Sequence, residues 1–158
     1  MASARSLQVG SAAPRFKLAK LAGGSKRLEE YLERGAVLLA FFKISCPVCQ
    51  LTLPYLNRMR SGNLQLVAVS QDDEESTGEF NAEFGISLET LLDPEDGGYP
   101  VSNAYALTQV PTIFVVEQDG TIGEVIHGFV KREMEAIGVR CGIAPFQPGD
   151  YAPEWKAG

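Results

Sequence analysis

Two cysteines, Cys46 and Cys49, enclose Pro47 and Val48 in a Cys-x-x-Cys. At this spacing two sulfurs can cycle between a dithiol and a disulfide. The same spacing also makes half a zinc site, or two inert core thiols. What surrounds the pair decides among these. Val37 to Phe42 is a short, dense apolar run between Gly35 and Lys43, which predicts a buried strand. Leu51, Leu53, Tyr55, Leu56 and Met59 follow at helical spacing. The cysteines therefore fall at a strand-to-helix junction, with Cys46 at the N-cap and Pro47 in the first turn, where a missing N–H costs nothing.

That placement is activating. The free N–H groups and the positive end of the helix dipole favour a thiolate at Cys46. Cys49 lies one turn deeper and is expected to be more buried and less acidic. The asymmetry assigns attack on a disulfide to Cys46 and resolution of the mixed disulfide to Cys49. Structural zinc needs four ligands. The chain has three cysteines and one histidine, and Cys141 and His127 are not spaced as a second pair. The pattern thus predicts no metal and no cofactor.

The chain has 158 residues, enough for one domain with a sizeable core. A net charge of −6 argues against a nucleic-acid surface. No apolar stretch is long enough to span a membrane. The first ten residues lack the apolar centre of a signal peptide, so the sequence predicts a cytoplasmic protein, or an extracytoplasmic one if a leader has been removed. Three cysteines are too few for a disulfide scaffold. Cys141 reads as a small hydrophobe with a free thiol, and as a redox partner of Cys46 on the sharper reading.

Residues 1–8 read as a flexible N-terminus, 9–138 as the domain and 139–158 as an extended tail. Within the domain, Arg15–Leu18 predicts a short strand, Leu28–Arg34 a short helix and Leu64–Ser70 a second buried strand. Strand, helix, strand in this order is a right-handed parallel unit. Pro54 sits inside the active-site helix, which is expected to end at Gly62 and Asn63. The acidic loop Gln71–Glu75 reads as a solvated helix start. Ser76–Phe84 and Pro100–Leu107 predict helices, the latter with Val101, Ala104 and Tyr105 inward. Thr90–Asp93 predicts a strand, and Val110–Val116, a turn at Asp119-Gly120 and Thr121–Gly128 a β-hairpin. Val130–Ile137 predicts a closing helix. Phe41, Phe42, Phe114 and Phe129 read as core. Pro111 cannot donate to a ladder, so it belongs at the start of its strand.

These residues together resemble the thioredoxin-like fold, and within it the redoxin group of TlpA-type thiol-disulfide oxidoreductases and alkyl hydroperoxide reductase relatives. Gly10-Ser-Ala-Ala-Pro-Arg-Phe16 resembles the group's Gly-x-x-Ala-Pro-x-Phe entry. The resemblance covers residues 9–138. It implies an α/β fold with a central mixed sheet flanked by helices, an N-terminal β extension and an inserted helix and strand. It implies Cys46 as nucleophile, Cys49 as resolving thiol, Pro111 as a cis-proline beside them, and Val110 as the backbone that pairs with a substrate chain. Its partners would be a disulfide-bearing protein or small thiol, and an upstream reductant such as a thioredoxin or glutathione system.

The chain departs from that group in informative places. Ser45 replaces the usual Trp before the first cysteine, and Thr52 replaces the Glu that takes a proton near the buried thiol in TlpA-type reductases. No His separates the cysteines, which favours a reductant or neutral exchanger over a strong oxidant. A peroxiredoxin-type peroxidase is the alternative, with Cys46 attacking peroxide. In that motif, Lys43 stands where a Thr belongs, and no Pro precedes Cys46 in the strand. A copper carrier would need a longer cysteine spacing and a His, for which His127 is the one candidate. Pro148–Trp155 echoes the entry motif and reads as a packing tail.

Overall fold

The computed structural model describes residues 7–158. The first six residues of the expected flexible N-terminus therefore lie outside the described part. The elements, in chain order, are β1 (Lys17–Lys20), β2 (Ser25–Arg27), α1 (Leu28–Leu32), β3 (Val37–Phe42), α2 (Pro47–Arg58), β4 (Gln65–Ser70), α3 (Glu74–Phe84), β5 (Glu89–Leu92), α4 (Pro100–Ala104), β6 (Thr112–Val116), β7 (Ile122–His127), β8 (Phe129–Val130), α5 (Lys131–Cys141) and β9 (Trp155–Lys156). Seven strands form one mixed sheet in the order β2-β1-β5-β4-β3-β6-β7. β3 runs parallel to β4 and antiparallel to β6. The expected α/β architecture, its N-terminal β extension and its inserted helix and strand are all present.

The period of a strand explains why β3 has no polar residue. Successive side chains point to opposite faces, and both faces of β3 are covered. Leu38, Ala40 and Phe42 join one apolar cluster, together with Cys49, Leu53 and Leu56 of α2 and Met134 and Ile137 of α5. Val37, Leu39 and Phe41 join a second cluster with Leu28, Tyr31, Val101 and Tyr105. β6 divides the same way, with Ile113 and Val115 on the first face and Phe114 and Val116 on the second. Phe41, Phe42, Phe114 and Phe129 are fully buried, as core aromatics should be.

Several boundaries differ from expectation. α2 ends at Arg58, before Gly62. α3 begins two residues early, because the Asp73 side chain accepts from the Ser76 N–H at 2.7 Å and caps it. α4 stops at Ala104, and Ala104 faces solvent while Val101 and Tyr105 are buried. α5 continues through Gly138 to Cys141 instead of ending at Ile137. Gly138 is not a helix stop. It is a contact point: a Cβ there would lie 2.5 Å from Pro145 Cδ and 2.8 Å from the Ile143 carbonyl. The residues after α5 therefore fold back onto the helix. The segment beyond is tied down further. Arg58 pairs with Asp150 at 2.7 Å, and the Tyr55 hydroxyl donates to the Tyr151 carbonyl at 3.1 Å.

Candidate active site

Cys46 is the N-cap of α2 and Pro47 opens the helix. The Cys49 backbone N–H donates to Cys46 Sγ at 3.2 Å, and the Gln50 N–H donates to the Cys46 carbonyl at 3.0 Å. The loop before it is held as well. The Cys46 N–H donates to the Lys43 carbonyl at 3.2 Å, and the Gln50 side-chain amide donates to the Ile44 carbonyl at 3.0 Å. All three cysteines are free thiols.

The two sulfurs differ in their surroundings. Cys46 is partly exposed, whereas Cys49 is completely buried. Burial pushes the Cys49 thiol well above the ordinary cysteine range. Its hydrogen bond with Cys46 and the nearby charges of Cys46 and Asp72 push the same way, and the Lys43 backbone opposes them. Cys49 therefore stays protonated at neutral pH until something takes its proton.

Val110 and Pro111 arrive from the β6 side. The Val110–Pro111 peptide bond is cis, as the resemblance implied. The Cys46 thiol lies 3.5 Å from the Val110 carbonyl oxygen and donates to it. Pro111 precedes β6 and donates to no ladder. The Thr112 hydroxyl donates to the Gln109 carbonyl at 2.8 Å, closing the turn that presents Val110. The fold thus brings Cys46, Cys49, Pro47, Val110 and Pro111 to one place.

Thr52 is fully buried, and its hydroxyl donates to the Val48 carbonyl at 2.7 Å. That hydroxyl is spent on its own helix. A carboxylate does reach the loop before Cys46, from the acidic stretch read from sequence as solvated. Asp72 Oδ2 accepts from the Ile44 N–H at 2.8 Å, two residues before Cys46. Asp72 in turn receives a fixed backbone, because its own N–H donates to Ser70 Oγ at 3.0 Å. The signal in the sequence was weak: Asp72 and Asp73 are adjacent and only Asp73 caps the helix.

The remaining candidates lie elsewhere. Lys43 Nζ sits 5.4 Å from the centre of the Tyr99 ring, a cation–π contact. His127 is exposed at the end of β7. Cys141 is buried in the core cluster of α2 and α5, and burial raises its thiol too. No group of three or more His, Cys, Asp or Glu side chains that could hold a metal occurs among the described residues. No helix among the described residues is long and apolar enough to cross a membrane.

A mixed sheet with a dithiol at a helix N-terminus, facing a cis-proline loop, defines a thioredoxin-like redox protein. Comparison narrows the class. The AhpC/TSA family model matches residues 9–125, and the chain belongs to that family. It is 31% identical over 130 residues to the thiol-disulfide oxidoreductase ResA of Geobacillus kaustophilus, covering 79% of this chain and 72% of that protein. The ResA of Geobacillus thermodenitrificans is 32% identical over the same lengths of 79% and 72%. In fold, the chain is similar to the thioredoxin domain of a thiol-disulfide oxidoreductase from Bacteroides vulgatus. The TM-score is 0.75 at 23% identity, over 86% of this chain and 99% of that one.

Proposed function

We propose that this protein is a thiol-disulfide oxidoreductase that works through Cys46 and Cys49. One observation carries the reading above the others. Cys46 Sγ is partly exposed and accepts an N–H bond at a helix N-terminus, while Cys49, one turn on, is fully buried. An attacking thiol needs the first environment, and a resolving thiol tolerates the second.

In this reading the Cys46 thiolate attacks one sulfur of a substrate disulfide. A Cys46–substrate bond forms, the substrate S–S bond breaks, and the departing thiolate takes a proton from water. Cys49 then loses its proton and attacks Cys46 Sγ. The Cys46–Cys49 disulfide forms, and the second substrate thiol leaves reduced. Two electrons have passed to the substrate. An upstream dithiol or thiol, of the thioredoxin or glutathione kind, restores the protein. Pro47 keeps the first turn open to the sulfur, and the Val110 backbone beside Pro111 offers a place for an extended substrate chain to pair. The names of the ResA relatives, thiol-disulfide oxidoreductases, support disulfide exchange as the chemistry.

The peroxidase alternative lacks its activating groups. Lys43, the one nearby cation in the motif, rests on Tyr99. The discriminating test is a pair of second-order rates for the fully reduced protein, one with hydrogen peroxide and one with a small aromatic disulfide. Disulfide exchange predicts a peroxide rate no better than that of a simple thiol and a disulfide rate lost in Cys46→Ser. A peroxide rate orders of magnitude above a simple thiol's would reverse the assignment. A cytoplasmic setting belongs to the same proposal. Alkylation of the thiols in intact cells tests the setting, since a reducing compartment keeps the pair reduced.

A further inference from the structure

After α5 the chain returns to the catalytic end of the molecule. β9 pairs antiparallel with β8, Phe129 opposite Lys156 and Val130 opposite Trp155. The Lys131 N–H donates to the Glu154 carbonyl at 3.0 Å and continues the pairing. β8 follows directly on Gly128, whose N–H donates to the Pro111 carbonyl at 2.9 Å. The residue that leads into the strand holding β9 is thus bonded directly to the cis-proline loop.

Residues 155–158 then run across that loop. A Cβ on Gly128 would lie 2.4 Å from the Lys156 carbonyl oxygen and 2.9 Å from the Gly158 nitrogen. A Cβ on Gly158 would lie 2.6 Å from the Val110 carbonyl oxygen and 3.0 Å from Gln109 Oε1. The Val110 carbonyl therefore has the Cys46 thiol as one neighbour, at 3.5 Å, and the backbone of Gly158 as another. An extended peptide that pairs with Val110 and reaches Cys46 needs that same strip of surface.

The segment is lightly held. Residues 154–158 are all exposed, and Trp155 keeps 62% of its surface. Its ladder is two residues long on each strand. The firm anchors, Asp150 on Arg58 and Tyr151 on Tyr55, lie upstream. Removing the last turn of chain leaves those anchors and the core in place.

We infer that residues 155–158 form a specificity strap across the Val110 side of the active site, which a protein substrate must displace and a small disulfide need not. The inference rests on the disulfide-exchange reading above. It makes the strap a selector by size. A small disulfide approaches the exposed face of Cys46 directly, and a polypeptide competes with the chain's own segment for the Val110 backbone.

The test compares the intact chain with a variant ending at Glu154, using insulin as the protein disulfide and a small aromatic disulfide as control. The strap predicts an insulin rate raised about fivefold by the truncation, the worth of one or two backbone hydrogen bonds. The small-disulfide rate stays unchanged. Gly158→Val, whose side chain meets the Val110 carbonyl, shifts the insulin rate in the same direction and leaves folding untouched. Trp155 is the chain's one tryptophan and reports the strap directly. In Cys49→Ser, where the adduct persists, its fluorescence anisotropy falls when a long cysteine-containing peptide is coupled to Cys46 and holds steady when glutathione is coupled. Equal effects on both substrates, or a slower insulin rate in the truncated chain, overturn the strap and leave the exchange reading standing. Absence of small-disulfide exchange in the intact chain overturns both.

Discussion

Cys46 Sγ lies 3.5 Å from the carbonyl oxygen of Val110, a residue 64 positions away in the chain. Cys46 is therefore positioned by two elements on neighbouring strands. Its helix follows β3, and Val110 leads into β6, which pairs with β3 in antiparallel register from Val37↔Val116 to Phe41↔Thr112. The site holds only while that register holds.

Packing under the helix sets how firmly Cys46 is aimed. Leu53 is fully buried, one turn beyond Cys49 and inside the cluster shared with β3 and α5. Leu53→Ala is expected to destabilise the protein by about 2–5 kcal/mol, through lost burial and the cavity left behind. Urea denaturation of the reduced protein measures this. A cost below about 1 kcal/mol would mean that α2 is not held by this face.

The buried thiol gives stability a defined pH dependence. The folded protein holds the Cys49 proton more tightly than the unfolded chain does, because burial raises its pKa. Above the unfolded value of about 8.5, the unfolded chain releases that proton and the folded one keeps it. The unfolded state then binds fewer protons, so stability falls as pH rises and is fully present below that value. Each pH unit costs about 1.4 kcal/mol per such group. Cys141 adds to the slope in the same sense. Cys49→Ser should flatten the alkaline fall in the chemical midpoint between pH 8.5 and 10, a window set by the ordinary cysteine value. An unchanged slope would contradict the burial of Cys49.

Asp72 touches the site without touching sulfur. Its carboxylate receives the Ile44 N–H, and its charge helps keep Cys49 protonated. Asp72→Asn keeps an acceptor and removes the charge. Release of a mixed disulfide at pH 8 should speed up a few-fold, because the Cys49 thiolate forms more readily when a like charge is gone. Stopped-flow release of a fluorescent thiol from Cys46 reads this step alone. A slower release would make Asp72 a proton acceptor for Cys49 instead of a charge opposing it.

The strand-helix-strand unit and the dithiol junction were legible because their signals are local. A buried strand reads as an unbroken apolar run, and Pro47 after Cys46 marks a helix start. The Pro111 position was legible for a similar reason, since a proline must avoid a ladder donor. Asp72 was not, because its partner Ile44 is 28 residues away and two adjacent aspartates look alike in sequence. The end of α5 was misplaced because Gly138 resembles a stop, whereas its lack of a side chain serves the return of Pro145. The strap was invisible for the same reason: Gly128 and Gly158 are ordinary glycines until the backbone beside each is known.

The most direct measurement is trapping. Cys46→Ser and Cys49→Ser proteins are each reduced, mixed with a disulfide-bonded protein substrate and examined by intact mass. Attack by Cys46 and resolution by Cys49 predict a stable mixed disulfide on Cys46 in Cys49→Ser and no adduct in Cys46→Ser. An adduct on Cys49 in the Cys46→Ser protein, formed at a comparable rate, would contradict the division of labour between the two sulfurs.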